Sequence, residues 1–275
     1  MSRADLLFIQ NCRDIIENGV WDTDQAVRPR WEDGTPAHTV KKFCIINRYN
    51  VGEEFPIMTL RRVFYRSAIE EVLWIYQQKS NDVTKLSTHI WDAWADENHT
   101  IGKAYGYQIG VKSRYPEGEF DQIDRVLYDL KHNPASRRII TNTYNHHDLN
   151  EMGLAPCAYS VTYNVTGNKL NALLNQRSQD MLVANNWNVC QYAALLIMLA
   201  KASGLEAGEL VHVIADAHIY DRHVDIVKQI IEKEPYPAPI MQVDDITDFY
   251  KFTKESFTLE NYKYHEFDGK IPVAI

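Results

Sequence analysis

The sequence predicts an α+β fold: a single domain over residues 1–275, built around a large mixed β-sheet flanked by helices. Three observations predict it. Strand-like runs recur along the chain, at 40–49, 137–145, 158–165, 169–178 and 209–220. Two of them, 158–165 and 169–178, are separated by Thr-Gly-Asn, a hairpin signal. Among the strands lie stretches of helical length, including the almost wholly apolar VCQYAALLIMLAKAS at 189–203. Strands, hairpins and buried helices in one chain argue for helices packed on a sizeable sheet.

The elements follow in order. Leu7, Ile9, Cys12, Ile15 and Ile16 recur at roughly helical spacing, so residues 4–18 read as a helix stopped by Gly19. Residues 21–39 are polar, end in DGTPAHT, and read as a loop before the strand at 40–49. RSAIEEVLWIYQQ, 66–78, predicts a helix. Residues 87–119 are loop-rich. They hold two tryptophans and two tyrosines in the stretch IWDAWADENHTIGKAYGYQ, a composition that suits a working surface. A helix is expected at 120–132, then the three strand-like runs. The apolar helix at 189–203 ends at Gly204 and is too short to cross a bilayer. Strand 209–220 leads into a helix at 221–233, and PYPAP at 235–239 predicts an extended linker.

Composition excludes several classes. Four cysteines in 275 residues, with no C-x-x-C pair, suggest neither a zinc knuckle nor a disulfide scaffold. The N-terminal segment lacks the apolar core of a signal peptide, so a soluble, cytoplasmic protein is expected. The net charge of −8 disfavours general nucleic-acid binding. Within that acidic average, Arg61-Arg62, Arg137-Arg138 and Arg177 form local cationic spots, which suit a small anionic ligand.

Four stretches carry candidate chemistry. Cys157 follows Pro156, which restricts the backbone and removes a donor. Cys157 and Arg177 lie at the two ends of the expected hairpin, about equally far from its turn. The fold would bring them together, and an arginine lowers a thiol pKa. The alternative is an inert buried cysteine. Gln176, Arg177, Ser178 and Asp180 place an amide, a cation, a hydroxyl and a carboxylate within five residues. That set suits a phosphate, or else a solvated strand end. On a strand, His212, Asp216, His218 and Tyr220 share one face. They could ligate a metal, bind a sugar hydroxyl, or simply face water. Glu71 sits among Ile69, Val72, Leu73 and Trp74. If it faces inward, burial would raise its pKa and fit it for proton transfer; outward, it is solvated.

Taken together these stretches resemble the thymidylate synthase family. The resemblance runs from EEVLW through IWDAWADEN, AYGYQ, SRRII, LAPC, NQRSQD, WNV and DAHIY to PVAI. DGTPAHT and KSNDV resemble a less common branch found in some bacilli and their phages. The resemblance implies reductive methylation of dUMP to dTMP by 5,10-methylenetetrahydrofolate as co-substrate, with no metal, in a homodimer. It implies Cys157 as nucleophile, Glu71 for proton transfer around O4, Tyr105 for removal of the C5 proton, and Trp91 beside the folate. Asn188 would read N3–H and O4, and Asp216 would orient its neighbours. His218 and Tyr220 would bind the ribose 3′-hydroxyl. Arg177 and Ser178 would bind phosphate beside Gln176, and Arg137 and Arg138 would reach a partner's phosphate. Asp180 would contact the pterin. The tail 271–275, with Val273, Ala274 and Ile275, would close over the folate. Arg28 is preferred over Arg30 as the N-terminal phosphate arginine.

The chain departs from the family pattern at Ala158, where histidine is usual, Ala184 (glycine), Asn186 (proline) and Trp187 (phenylalanine). These positions are expected to lie near the folate. A pyrimidine hydroxymethylase would share the cysteine and the arginines, but Trp91, Asn188 and the PVAI tail favour the synthase. A non-catalytic nucleotide or RNA binder would need none of Cys157, Glu71, Tyr105 or Asn188. A metal-dependent hydrolase using His212, Asp216 and His218 is the weaker third reading.

Overall fold

In a computed structural model that describes residues 1–275, the first helix, α1, spans Arg3–Asn18. Ser2 caps it. The Ser2 hydroxyl accepts from Asp5 N, and the Asp5 carboxylate accepts from Ser2 N, so two otherwise unpaired backbone donors are satisfied reciprocally. Asp5 is fully buried and also accepts from Thr59 N at 2.7 Å and Thr59 Oγ1 at 2.8 Å. One carboxylate therefore caps a helix and ties the 57–60 segment to it.

The next elements are β1 (Val20–Trp21), β2 (Thr39–Asn50) and α2 (Tyr65–Tyr76). The segment expected to be loop-rich, 87–119, contains a one-turn helix, α3 (Gly106–Gly110), and β3 (Ser113–Tyr115), which pairs with β4 (Gly118–Phe120). Helix α4 (Gln122–His132) follows, then β5 (Ile140–Asn142), β6 (Ala158–Thr166), β7 (Lys169–Gln176) and β8 (Gln179–Asp180). Helix α5 (Asn185–Ser203) precedes β9 (Glu206–Tyr220) and α6 (Val224–Ile231). Strands β10 (Ile240–Val243) and β11 (Phe257–Glu260) form a separate antiparallel pair.

The main sheet has seven strands in the order β1-β2-β9-β7-β6-β5, with β8 paired to β9. It is mixed: β7 and β8 run parallel to β9, and the other pairs are antiparallel. One face carries the main core. Val161, Tyr163, Leu170, Leu174, Leu210 and Ile214 are buried there, together with Ile69, Val72 and Trp74 of α2 and Leu195, Leu196 and Leu199 of α5. Each fully buried side chain of this size contributes about 1.5–3 kcal/mol. Helix α5 is apolar nearly all round because it is enclosed on nearly all sides. It ends where Gly204 adopts the left-handed conformation (φ 70°), which glycine takes without steric cost.

The differences from expectation are local. Only Ile140–Asn142 of the run 137–145 pairs as a strand, because Arg137 and Arg138 lie exposed before the sheet edge begins. Helix α5 starts four residues before 189, since Asn185 and Asn186 are buried and satisfied within the fold. The helix expected at 221–233 opens with a 3-10 turn, Asp221–His223. The pairing of β10 with β11 was not anticipated, because each strand is only four residues long and shows no clear period of its own. No helix is long and apolar enough to cross a membrane.

Replacing Asp5 by alanine is expected to lower the unfolding free energy by about 3 kcal/mol, because buried donors on Thr59 and the helix cap lose their acceptor. Urea unfolding of the variant against the parent measures this.

Candidate active site

The β6–β7 hairpin folds back as its turn signal predicts. Its register pairs Ala158 with Gln176, and just beyond that pair Arg177 N donates to Cys157 O at 2.9 Å. The Arg177 guanidinium is then fixed by backbone carbonyls: Nε donates to Pro156 O at 3.0 Å and one terminal nitrogen to Ala155 O at 2.7 Å. The same terminal nitrogen lies 3.6 Å from Cys157 Sγ. Burial pushes the Cys157 thiol up, and the charges of Arg177 and Arg28 pull it back without fully offsetting burial. The expectation of a net lowered thiol is thus corrected. The arginines act as predicted, but desolvation of the sulfur is the larger effect.

Tyr105 also meets the cysteine. Its hydroxyl accepts from Cys157 N at 3.0 Å. The residue has φ 43° and ψ −101°, a backbone conformation rare for a side chain of this size, at the start of α3. The Trp91 ring packs edge-on against Tyr105, with centroids 5.3 Å apart. Burial, and then the neighbouring cysteine, push the Tyr105 hydroxyl well above its ordinary range.

Glu71 faces inward. Its Oε1 accepts from Trp91 Nε1 at 3.2 Å and its Oε2 from Trp187 Nε1 at 2.7 Å. Burial raises its pKa; Trp187, Gln191 and Trp91 oppose that, and the result is about 7. Glu70, its neighbour, points out to Lys254.

Four side-chain amides form a connected set. Asn188 Oδ1 accepts from Gln176 Nε2 at 3.2 Å and from Gln179 Nε2 at 3.4 Å, and Asn188 Nδ2 donates to Gln191 Oε1 at 2.9 Å. The polarity of the set is decided by groups that cannot reverse. Gln176 Nε2 also donates to Ser178 O and Gln179 Nε2 to Asp180 O, both backbone carbonyls. Gln176 Oε1 then meets His212 Nε2 at 2.8 Å. Gln176 therefore belongs to this amide set, whereas the sequence placed it with the phosphate ligands.

His212 lies in the core, and burial lowers its pKa to about 3. Asp216 and His218 pair with each other, Oδ1 to Nδ1 at 2.8 Å, and Lys41 reaches Asp216 at 3.3 Å. Burial raises the Asp216 pKa, but His218 and Lys41 outweigh it and hold the carboxyl below its usual range. The three candidate metal ligands therefore do not converge, and no group of three His, Cys, Asp or Glu side chains is placed to hold an ion. Tyr220 packs edge-on against His218, with centroids 5.1 Å apart.

Asp180 accepts from Leu182 N at 2.8 Å and Val183 N at 3.1 Å, so its carboxylate is held by its own turn. His223 Nδ1 lies 3.8 Å from it, and His223 Nε2 donates to Pro272 O at 2.7 Å. The tail is docked: Arg30 N donates to Ile275 O at 2.8 Å and Ile275 N to Arg30 O at 3.0 Å, while Val273 and Ile275 stay exposed. The two N-terminal arginines thus differ. The Arg30 backbone clasps the tail, and the Arg28 charge reaches Cys157 and Tyr220. Arg137 and Arg138 lie outside this cluster and are exposed.

Sequence reasoning missed Gln179, Gln191, His223 and the donor role of Trp187. The amides had a legible signal: Gln176 and Gln179 are three apart, as are Asn188 and Gln191. At the departures, Ala158 is buried opposite Gln176, and Asn186 accepts from Met58 N at 2.8 Å and donates to Pro56 O at 3.1 Å. A side-chain amide thereby ties the start of α5 to the 56–58 segment.

Residues 7–275 match the family model described as thymidylate synthase. The thymidylate synthase of Bacillus phage phi3T is 44% identical over 96% of this chain and 96% of its own length. That of Bacillus subtilis subsp. natto is 43% identical over the same shares. Among solved structures, thermostable thymidylate synthase A from Bacillus subtilis superposes with a TM-score of 0.94 at 41% identity, covering 98% of this chain and 99% of that one.

Because the Glu71 pKa is raised on folding, its contribution to stability is fully present below the unfolded value and is lost as pH rises through about 7. Unfolding free energies of the parent and Glu71→Gln, measured at about pH 4 and about pH 8, are expected to differ in their pH response by about 3 kcal/mol, the parent losing more at high pH.

Proposed function

The chain belongs to the thymidylate synthase family, and on that premise we propose how its residues divide the work. The chain is a methyltransferase that converts dUMP to dTMP with 5,10-methylenetetrahydrofolate as co-substrate. The comparisons do not favour the hydroxymethylase or the non-catalytic binder. The observation that carries the division of roles is the cluster of one thiol, one buried carboxyl and one oriented amide, Cys157, Glu71 and Asn188, with Arg177 beside the sulfur.

Cys157 gives up its proton and its sulfur bonds to C6 of the uracil, so the ring electrons move toward C5 and O4. The thiol sits above its ordinary pKa in the absence of nucleotide, with two arginines opposing burial. Arg177 and Ser178 bind the nucleotide phosphate, with Arg28 from the N-terminal loop; Gln176 supports them through the amide set. Asn188 reads the base. Its Oδ1, which Gln176 and Gln179 hold in place, accepts from N3–H in exchange for one of them, and its Nδ2 donates to O4. Asp216 orients His218, and His218 and Tyr220 hold the ribose 3′-hydroxyl. Glu71, with a pKa of about 7, both accepts and returns a proton near O4 at neutral pH. Tyr105, whose hydroxyl meets Cys157 N, assists removal of the C5 proton. The folate supplies a one-carbon unit and then a hydride. The chain's part is to bind it through Asp180 and Trp91, and to exclude water with Val273, Ala274 and Ile275.

We also infer a homodimer in the cytoplasm. The sheet face opposite the helices is uncovered: Ile46, Leu173 and Ile140 are exposed there, with half-buried Val211 and Val213 between them. A second copy covering that face would bring Arg137 and Arg138, beside edge strand β5, to the partner's phosphate site. Four unpaired cysteines support a reducing compartment. One continuous core supports reading residues 1–275 as a single catalytic domain.

Incubation with 5-fluoro-dUMP and methylenetetrahydrofolate is expected to leave a covalent ternary adduct, seen by intact mass, that Cys157→Ser abolishes. An adduct retained by the serine variant overturns the nucleophile. Asn188→Asp is expected to move preference toward dCMP, read as the ratio of kcat/KM for the two nucleotides; an unchanged ratio removes Asn188 from base reading.

A further inference from the structure

Glu71 is gripped by two indoles, one on each carboxylate oxygen. An indole N–H donates and cannot accept. Two such donors favour the ionised carboxylate and fix its plane, while a proton on either oxygen must avoid the indole that faces it. The shorter contact, 2.7 Å, comes from Trp187. This is a position where the family resemblance anticipates phenylalanine, and a phenyl ring has no such donor. The departure therefore adds a polar contact at a reacting group.

We infer that Trp187 is a positioning residue for this chain's reaction: its indole N–H holds the Glu71 carboxylate and stabilises its anion. The inference rests on reading Glu71 as the group that handles the proton near O4. The placement supports it. Trp187 lies in the first turn of α5, next to Asn188, and Gln191 follows one turn later on the same side. Asn188 is bonded to Gln191, so the amide set and the indole that holds Glu71 are carried by the same helix. The base-reading amide and the proton-handling carboxyl thus share one rigid support.

No cation faces Glu71. From the start of α3 comes Tyr105, with Cys157 and Arg177 in the field beyond it. From α2 itself comes Glu70, which turns away to Lys254 at 2.6 Å and to Ser87. Helix α5 offers Trp187 and Gln191, and the 91–94 segment offers Trp91. The hydrogen bonds at the Glu71 oxygens are those of the two indoles, and the Trp187 contact is the shorter. A buried anion stabilised only by N–H donors is sensitive to the loss of one of them.

The test removes that donor and keeps the ring. Trp187→Phe, and the chain carrying benzothienylalanine at position 187, both lack the N–H; the second keeps the indole's shape, so folding is preserved. The Glu71 carboxyl stretch, identified by difference infrared spectroscopy against Glu71→Gln, is titrated in nucleotide-free protein. The pH profile of kcat and the KM for dUMP are measured in parallel. Both variants are expected to raise the titration midpoint by about one pH unit, a tenfold change in acidity. The limb of the kcat profile should move with it, and KM for dUMP should stay within about twofold, as a positioning role requires. A midpoint unmoved in the benzothienylalanine protein overturns the inference. A midpoint that rises while the kcat profile stays in place retains the hold of Trp187 on Glu71 and overturns the proton-handling role of Glu71.

Discussion

Arg177 donates its backbone N–H to the carbonyl of Cys157, and that bond closes the open end of the β6–β7 hairpin. The site depends on this closure. It places the guanidinium under Ala155 and Pro156, whose carbonyls take up two of its donors and fix its plane. With its fork held by the backbone, the charge stays at the sulfur. The same register sets Gln176 opposite Ala158, one residue from the cysteine, and from there its amide reaches Asn188. The nearness of thiol and cation, and the place of the first amide of the Asn188 set, are consequences of one strand pairing.

Burial then sets the chemistry. The thiol, the carboxyl of Glu71 and the hydroxyl of Tyr105 are all pushed toward their neutral forms by the surrounding core. Each is opposed by donors or charges placed by a different element: Arg177 after β7, Trp187 and Gln191 on α5, and the Cys157 N–H beside Tyr105. The unusual backbone of Tyr105 is held at this same junction, where a strained residue is tolerated because its surroundings over-determine it.

The two faces of the sheet are specialised. One is sealed by α2 and α5 and carries the buried residues of the core. The other leaves Ile46, Leu173 and Ile140 exposed within a polar surround. Strands with one buried face alternate inward and outward along their length, which is why β7 and most of β9 alternate between buried and more exposed positions.

By itself the sequence determined the helices at 4–18, 66–78 and 120–132, the hairpin around Thr-Gly-Asn, and the strand leading to Tyr220. These rest on local periodicity and turn chemistry, which the chain carries wherever it folds. The pairing of Cys157 with Arg177 was legible for the same reason, since a hairpin brings its ends together. Other features required the tertiary structure. The separation of His212 from Asp216 and His218 depends on what packs over each end of a long strand. The net direction of the Cys157 shift depends on desolvation weighed against charge. The grip of Trp187 on Glu71 joins residues that are distant in sequence, and the pairing of β10 with β11 spans an intervening segment. Such contacts are set by how helices and strands meet, and no short stretch of sequence encodes that meeting.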